Sequence, residues 1–161
     1  MRSQDYTTQK CSQEVHTQSA ISESQEQYSR RNCLLFHGVA EAEGENTDSL
    51  VINTAKERLA ITLKPYDLDR SHRLGAPRAD GRARPIIAKF SRYNVRSTVY
   101  SAKKKLKGTK LLVTESLTRR RVGVLADAKR KYGMRNVWTM DGEFFTKQAG
   151  KTVNVRNILY T

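Results

Sequence analysis

The stretch Arg82-Ala83-Arg84-Pro85-Ile86-Ile87-Ala88-Lys89-Phe90 restricts the fold more than any other. It is apolar, of strand length, opened by two arginines and interrupted by one lysine. A strand of this kind must pair in a sheet and bury one face, with successive side chains on opposite sides. Its cations are therefore held at fixed positions, and the flanking chain must supply both sheet partners and a cover for the buried face.

The flanking chain can do so. Asn32-Cys33-Leu34-Leu35-Phe36-His37-Gly38-Val39 is a second apolar run of strand length, followed by an acidic loop over 41–45. Asn46 and Thr47 suit a helix start and Asp48 its positive end, and Leu50, Val51, Ala55 and Leu59 then recur at helical spacing. Beyond Pro65, residues 68–74 read as a polar-edged strand, and Gly75, Pro77 and Gly81 make a flexible connection carrying Arg78 and Arg82. After Phe90 the pattern predicts a helix capped by Ser91, with Val95, Val99, Ala102 and Leu106 on one stripe and Arg92, Arg96 and Lys103 to Lys105 largely off it. Gly108 stops this helix, and Leu111-Leu112-Val113-Thr114 is a fourth strand. The order over residues 32–115 is βαββαβ, the ferredoxin-like member of the α+β class, with two helices on one face of an antiparallel sheet.

Residues 116–161 read as a small α+β unit that is too short to fold securely alone. A helix over 117–132 opens on Arg119-Arg120-Arg121 and carries Val122, Leu125, Ala126 and the Lys129 stem on one face. Three short strands follow, over 136–140, 143–146 and 152–155, with Asp141-Gly142 and Ala149-Gly150 between them as hairpin signals. Residues 1–31 are rich in Gln, Ser, Thr and Glu with scattered apolar positions. They read as a disordered tail with the remnant of a coiled-coil end near residues 23–31.

The formal net charge is +14, and its distribution is uneven. Between Arg70 and Arg135 there are twenty basic and three acidic residues, a local excess of +17. One sign gathered in one segment is the footprint of a polyanion partner, because each neutralised phosphate releases condensed counterions. The arginines at 119–121 stand at a helix end whose dipole disfavours cations, which points to an external anion. The alternative is internal pairing with Glu115 and Asp127.

Other functions find less support. Cys11 and Cys33 form no Cys-x-x-Cys pair, so no zinc site or disulfide framework follows, as suits an intracellular compartment. The polar N-terminus lacks a signal-peptide core, and no apolar run approaches the roughly 18 residues of a membrane span. Lys103-Lys104-Lys105-Leu106-Lys107 also has the composition of a nuclear address. His16, His37 and His72 have no local ligand or nucleophile partners, and phosphate-loop and nucleophile-elbow motifs are absent. Asp67 and Asp69, with Glu57 or Glu41, are the only start of a two-metal nuclease site, and alternate carboxylates entering a strand are more often solvated edge residues. The expectation is a binding protein without catalysis, cofactor or metal.

Four segments carry a resemblance. Gln27-Tyr28-Ser29-Arg30-Arg31-Asn32, Asp69-Arg70-Ser71-His72-Arg73-Leu74-Gly75, Arg84-Pro85-Ile86-Ile87-Ala88-Lys89-Phe90 and Val137-Trp138-Thr139-Met140-Asp141-Gly142 occur in this order and spacing. Over residues 27 to 157 the chain resembles the first-open-reading-frame proteins of LINE-type (non-LTR) retrotransposons. The resemblance implies an RNA-recognition-motif-like domain and a small C-terminal domain, with single-stranded RNA or DNA in a basic cleft between them. It also implies a role coating RNA in a ribonucleoprotein, with nucleic-acid chaperone activity, in the cytoplasm and also the nucleus. Family contacts correspond to Arg78, Arg82 and Arg84, then to Arg120 and Arg121; Arg73, Lys89 and Lys104 complete the expected binding set. Members of that family trimerise through a long N-terminal coiled coil. Here only a short polar stub corresponds to it, as in a truncated or repurposed copy, which leaves self-association open.

The chain departs from ordinary RNA-recognition motifs in one respect. Those stack bases on aromatics of the two central strands, whereas the corresponding positions here hold Leu35, Pro85 and Ile87. Binding should then be dominated by the phosphate backbone, with Tyr132 and Trp138 as stacking candidates, joined by Tyr93. The competing reading is a protein-interaction module using the sheet face around Leu35 and Ile87.

Overall fold

The computed structural model describes residues 2–155; the last six residues of the 116–161 segment lie outside the described residues, as does residue 1. The chain divides into two compact units. One gathers the chain up to Arg30, Leu117–Trp138 and the residues from Phe144 onward; the other is Arg31–Ser116 together with Thr139–Glu143.

The second of these is built on a four-stranded antiparallel sheet. Its elements are β1 (Cys33–His37), α2 (Thr47–Leu59), β2 (Leu68–Arg73), β3 (Ile86–Phe90), α3 (Tyr93–Ser101) and β4 (Leu112–Glu115), preceded in the chain by α1 (Arg2–Ser29). The strand order β2-β3-β1-β4 with the βαββαβ sequence is the expected ferredoxin-like arrangement. Period-two alternation decides which face is covered: Leu34, Phe36, Ile86, Ala88, Phe90 and Val113 are buried beneath Val51, Ala55 and Leu59 of α2 and Val99 of α3. Leu35 lies opposite both Ile87 and Thr114, so these three share the other face.

Caps explain where the helices begin and end. The Asn46 side chain accepts from Ser49 N at 3.0 Å at the start of α2, and at its end Lys105 Nζ donates to Leu59 O at 3.0 Å. At α3 the expected cap moves by one residue. Arg92 holds the N-cap position without a side-chain bond, while the Ser91 hydroxyl donates to Tyr66 O at 2.9 Å. A 3-10 turn, Ala102–Leu106, continues α3 and completes the predicted stripe with buried Leu106.

The strand β2 contains a register shift between Leu68 and Arg70. One extra residue reverses the alternation beyond it. Arg70 and His72 lie opposite Lys89 and Ile87 on the face away from α2 and α3, and Ser71 and Arg73 turn to the helix side.

Gly38 ends β1 with φ +84°, and a Cβ there would lie 2.2 Å from Lys110 O. An alanine meets both a left-handed backbone penalty and a backbone clash, together about 2–4 kcal/mol. Gly38→Ala is therefore expected to lower the urea midpoint with an unchanged slope; a midpoint equal to wild type would show that the loop relaxes freely.

The other unit contains α1, α4 (Arg119–Tyr132) and most of a three-stranded sheet, β5 (Val137–Met140), β6 (Glu143–Gln148) and β7 (Lys151–Asn154), in that order. Both predicted turns form. Asp141 and Gly142 have φ of 52° and 75°, and Ala149 and Gly150 of 48° and 77°, the paired positive values of a type I′ hairpin. The N-terminal segment differs from the expected disordered tail: it is one helix of 28 residues. No glycine or proline interrupts it, and the Thr8 and Thr17 hydroxyls close back on Gln4 O and Gln13 O at 2.8 Å. Its last turns are fixed to α4. Gln27 Oε1 accepts from Thr118 N at 3.0 Å, and Glu23 Oε1 accepts from Thr118 Oγ1 at 2.7 Å and from Arg121 Nε at 2.8 Å. The units divide at Arg30/Arg31, beside the predicted boundary at residue 31, and the segment before that point belongs to one unit with Leu117–Trp138. On α4 the expected apolar face is rotated: Ala128 is buried, Val124 and Leu125 are half-buried, and Val122 and Ala126 are exposed.

Candidate nucleic-acid interface

The predicted binding residues fall into three groups. Arg73 belongs to the fold. Its Nε and Nη2 donate to Glu45 at 2.6 and 3.0 Å, Nη1 to Val39 O and Arg84 O at 2.9 and 2.7 Å, and Nη2 to Ala40 O at 2.7 Å. A guanidinium has five N–H donors, and all of them are engaged. The side chain is 5% exposed, so Arg73 leaves the expected binding set. The register shift in β2 is the cause, because it turns this arginine inward. These bonds hold the Glu45 carboxyl at about 2.

Arg84, Lys89 and Arg121 are exposed in part and meet carboxylates. Arg84 Nε donates to Glu41 Oε1 at 2.9 Å and Nη1 to Gly75 O at 2.8 Å. Lys89 Nζ lies 3.4 Å from Asp69 Oδ2. Arg121 pairs with Glu23 rather than with the Glu115 or Asp127 weighed for it; Glu115 receives Arg96, and Asp127 receives Arg130. The Arg121 bonds, with Arg120 nearby, outweigh burial and hold the Glu23 carboxyl below its ordinary value.

Arg78, Arg82, Lys104 and Arg120 are exposed. Arg82 Nε stands 3.6 Å from Asp80 Oδ2 at the surface. Arg78 and Lys104 have no carboxylate partner among the described residues, and the same holds for exposed Arg70, Lys107 and Lys110. On the face away from α2 and α3, Arg70 and Lys89 are directly opposite across β2 and β3, a like-charge pair that the Asp69 carboxylate beside Lys89 offsets in part. His37 shares that face, with Nε2 3.0 Å from Thr114 Oγ1; burial holds its pKa down. Of the stacking candidates, Trp138 already stacks on Phe145, with centroids 6.2 Å apart and planes at 21°. Tyr132 is half-buried beneath Lys131 Nζ, 5.4 Å from the ring centroid.

A buried polar cluster around Arg96 escaped the sequence reading. Arg96 Nη2 donates to Glu115 Oε2 at 2.5 Å, with both side chains 2% exposed. Tyr93 and Tyr100 flank Arg96, whose Cζ is 5.8 and 5.1 Å from their ring centroids. The hairpin tip Thr139–Glu143 docks on this cluster. Gly142 N donates to Glu115 Oε1 at 3.3 Å, the Tyr93 hydroxyl to Asp141 Oδ1 at 2.5 Å, and the Tyr100 hydroxyl to Thr139 O at 2.7 Å. Burial pushes Tyr100 up to about 12. Burial also pushes Lys103, whose Nζ sits 3.5 Å from the Tyr100 ring centroid, down to about 8. The spacing of Tyr93, Arg96, Tyr100 and Lys103 along one helical face was the available signal.

Of the carboxylates weighed for a nuclease, Asp67, Asp69 and Glu41 are engaged elsewhere. Asp67 is buried and accepts from Lys64 N at 2.8 Å, while Asp69 faces Lys89. Among the described residues no three His, Cys, Asp or Glu side chains are grouped to hold a metal. No described helix is long and apolar enough to cross a membrane. Neither protein-family models nor curated proteins gave a match to the chain.

Proposed function

We propose that this protein binds single-stranded nucleic acid, RNA first, through phosphate contacts, coating it in a ribonucleoprotein and acting as its chaperone. The observation that carries this reading is the set of exposed cations on the ferredoxin-like unit, Arg70, Arg78, Lys104, Lys107 and Lys110, that have no carboxylate partner among the described residues. The segment's three acidic residues are each beside an arginine of that segment, Asp80 by Arg82, Glu115 by Arg96 and Asp127 by Arg130. They therefore do not offset the remaining charge. The resemblance to LINE-type first-open-reading-frame proteins supplies the ligand class.

The absence of aromatics at Leu35, Pro85 and Ile87 makes the binding weakly selective for sequence. If about six phosphates are neutralised, log K for a labelled single-stranded RNA should fall with log salt at a slope near −4. Arg78→Glu with Arg82→Glu should reduce affinity at least about tenfold at low salt, since like charge now faces the strand. A flat salt response, or a double variant that binds as wild type, would overturn the reading. The neighbouring Leu35 and Ile87, half-buried on the face away from α2 and α3, favour a protein partner as the second reading. Loss of a protein complex in Leu35→Asp with RNA binding intact would support it.

A further inference from the structure

The acidic loop 41–45 meets two arginines at different depths. Glu45 and Arg73 are 13% and 5% exposed, whereas Glu41 and Arg84 are 26% and 21% exposed. Glu41 holds Arg84 by several contacts. Oε1 accepts from Nε at 2.9 Å and also from Nη2, and Oε2 accepts from the Arg84 backbone N at 3.1 Å. With Nη1 on Gly75 O, the guanidinium is fixed at the base of the loop that carries exposed Arg78 and Arg82. A carboxylate in this position uses the same fork of donors that a phosphate would use. The bonds from Arg84 keep the Glu41 carboxyl below its usual range, so it is ionised at neutral pH.

We propose that Glu41 is a built-in competitor for nucleic-acid phosphate, determining when Arg84 can join the binding surface. This rests on the functional reading above and refines it. A strand anchored first on Arg78 and Arg82 presents its next phosphate to Arg84 at high effective concentration, and that phosphate displaces Glu41. A ligand too short to span the loop lacks this advantage. Glu41 therefore biases the surface toward long strands.

Glu43 supplies the control, because it lies in the same exposed loop and contributes the same charge. Labelled single-stranded RNA should bind Glu41→Gln roughly three- to fivefold more tightly than wild type, the upper part of the range for an exposed ion pair. The salt slope should steepen by about 0.7 if Arg84 contacts one further phosphate. Glu43→Gln should gain less than about twofold from general electrostatics alone. In an Arg84→Gln background the excess gain of Glu41→Gln should vanish. Equal gains at positions 41 and 43, or a gain that persists without Arg84, would overturn the proposal. Inorganic polyphosphate, titrated against the same variants, separates the two readings. If wild type fails to bind RNA while Glu41→Gln still gains affinity for polyphosphate through Arg84, the functional reading falls and the competitor stands.

Discussion

Arg96→Met is expected to destabilise the ferredoxin-like unit by about 3–5 kcal/mol, the usual cost of removing one partner from a buried ion pair. Glu115 projects from β4 on the covered face, in register with Leu34, and is 4% exposed. Without Arg96 its charge keeps the long bond from Gly142 N at 3.3 Å and the attraction of Lys103. The arginine Nε has no acceptor, so the pair is itself imperfectly satisfied and its net worth against apolar packing is small. Two opposite results follow from one geometry. The single variant should melt roughly 12–40 °C lower, taking 4–8 °C per kcal/mol for a unit of this size. Arg96→Met with Glu115→Leu should recover most of that loss. A double variant no more stable than the single one would show that the flanking tyrosines, rather than the stranded carboxylate, set the cost.

This cluster also marks the limit of what the sequence makes legible. The alternation of Leu34, Phe36, Ile86, Ala88 and Phe90, the Asn46 cap and the Asp141-Gly142 turn are local features, and local chemistry decides them. Arg96 looks like one more solvated cation beside the Val95–Val99 stripe, because its partner is nineteen residues away on another element. The tyrosines that enclose it can be read equally well as stacking residues. In β2 a single extra residue reverses the pleat, and no side chain between Leu68 and Arg73 advertises the shift. The placement of Arg73 therefore had to come from the structure. The helix at residues 2–29 illustrates a different ambiguity, since Gln, Glu, Ser and Thr without a heptad seam suit disorder and a solvated helix alike. What fixes its end is the meeting of Glu23 and Gln27 with Thr118, a contact ninety residues and more along the chain.

Arg73 yields the second large effect, and it separates the arginines that build the surface from those available to a ligand. Arg73→Met removes all five bonds, leaving Glu45 its bond from Ala42 N and stranding the carbonyls of Val39, Ala40 and Arg84, at a cost of about 3 kcal/mol or more. Arg73→Lys should lose much of the same stability, because one ammonium with three donors cannot reproduce a fork aimed at five acceptors. The pH dependence identifies the partner. The folded Glu45 carboxyl titrates at about 2 against an ordinary 4.5, so the unfolded chain binds more protons between those values and stability there rises with pH. The contribution is complete above about pH 4.5 and is lost as pH falls toward 2. Wild-type melting temperatures should therefore drop more steeply than those of Glu45→Gln through this window, and the two curves should converge at its acid end. Parallel curves would place the load elsewhere. Because Arg73 keeps no donor for a phosphate, folded Arg73→Lys at neutral pH should bind single-stranded RNA with an unchanged salt slope. A slope shallower by about 0.7 would return Arg73 to the binding surface.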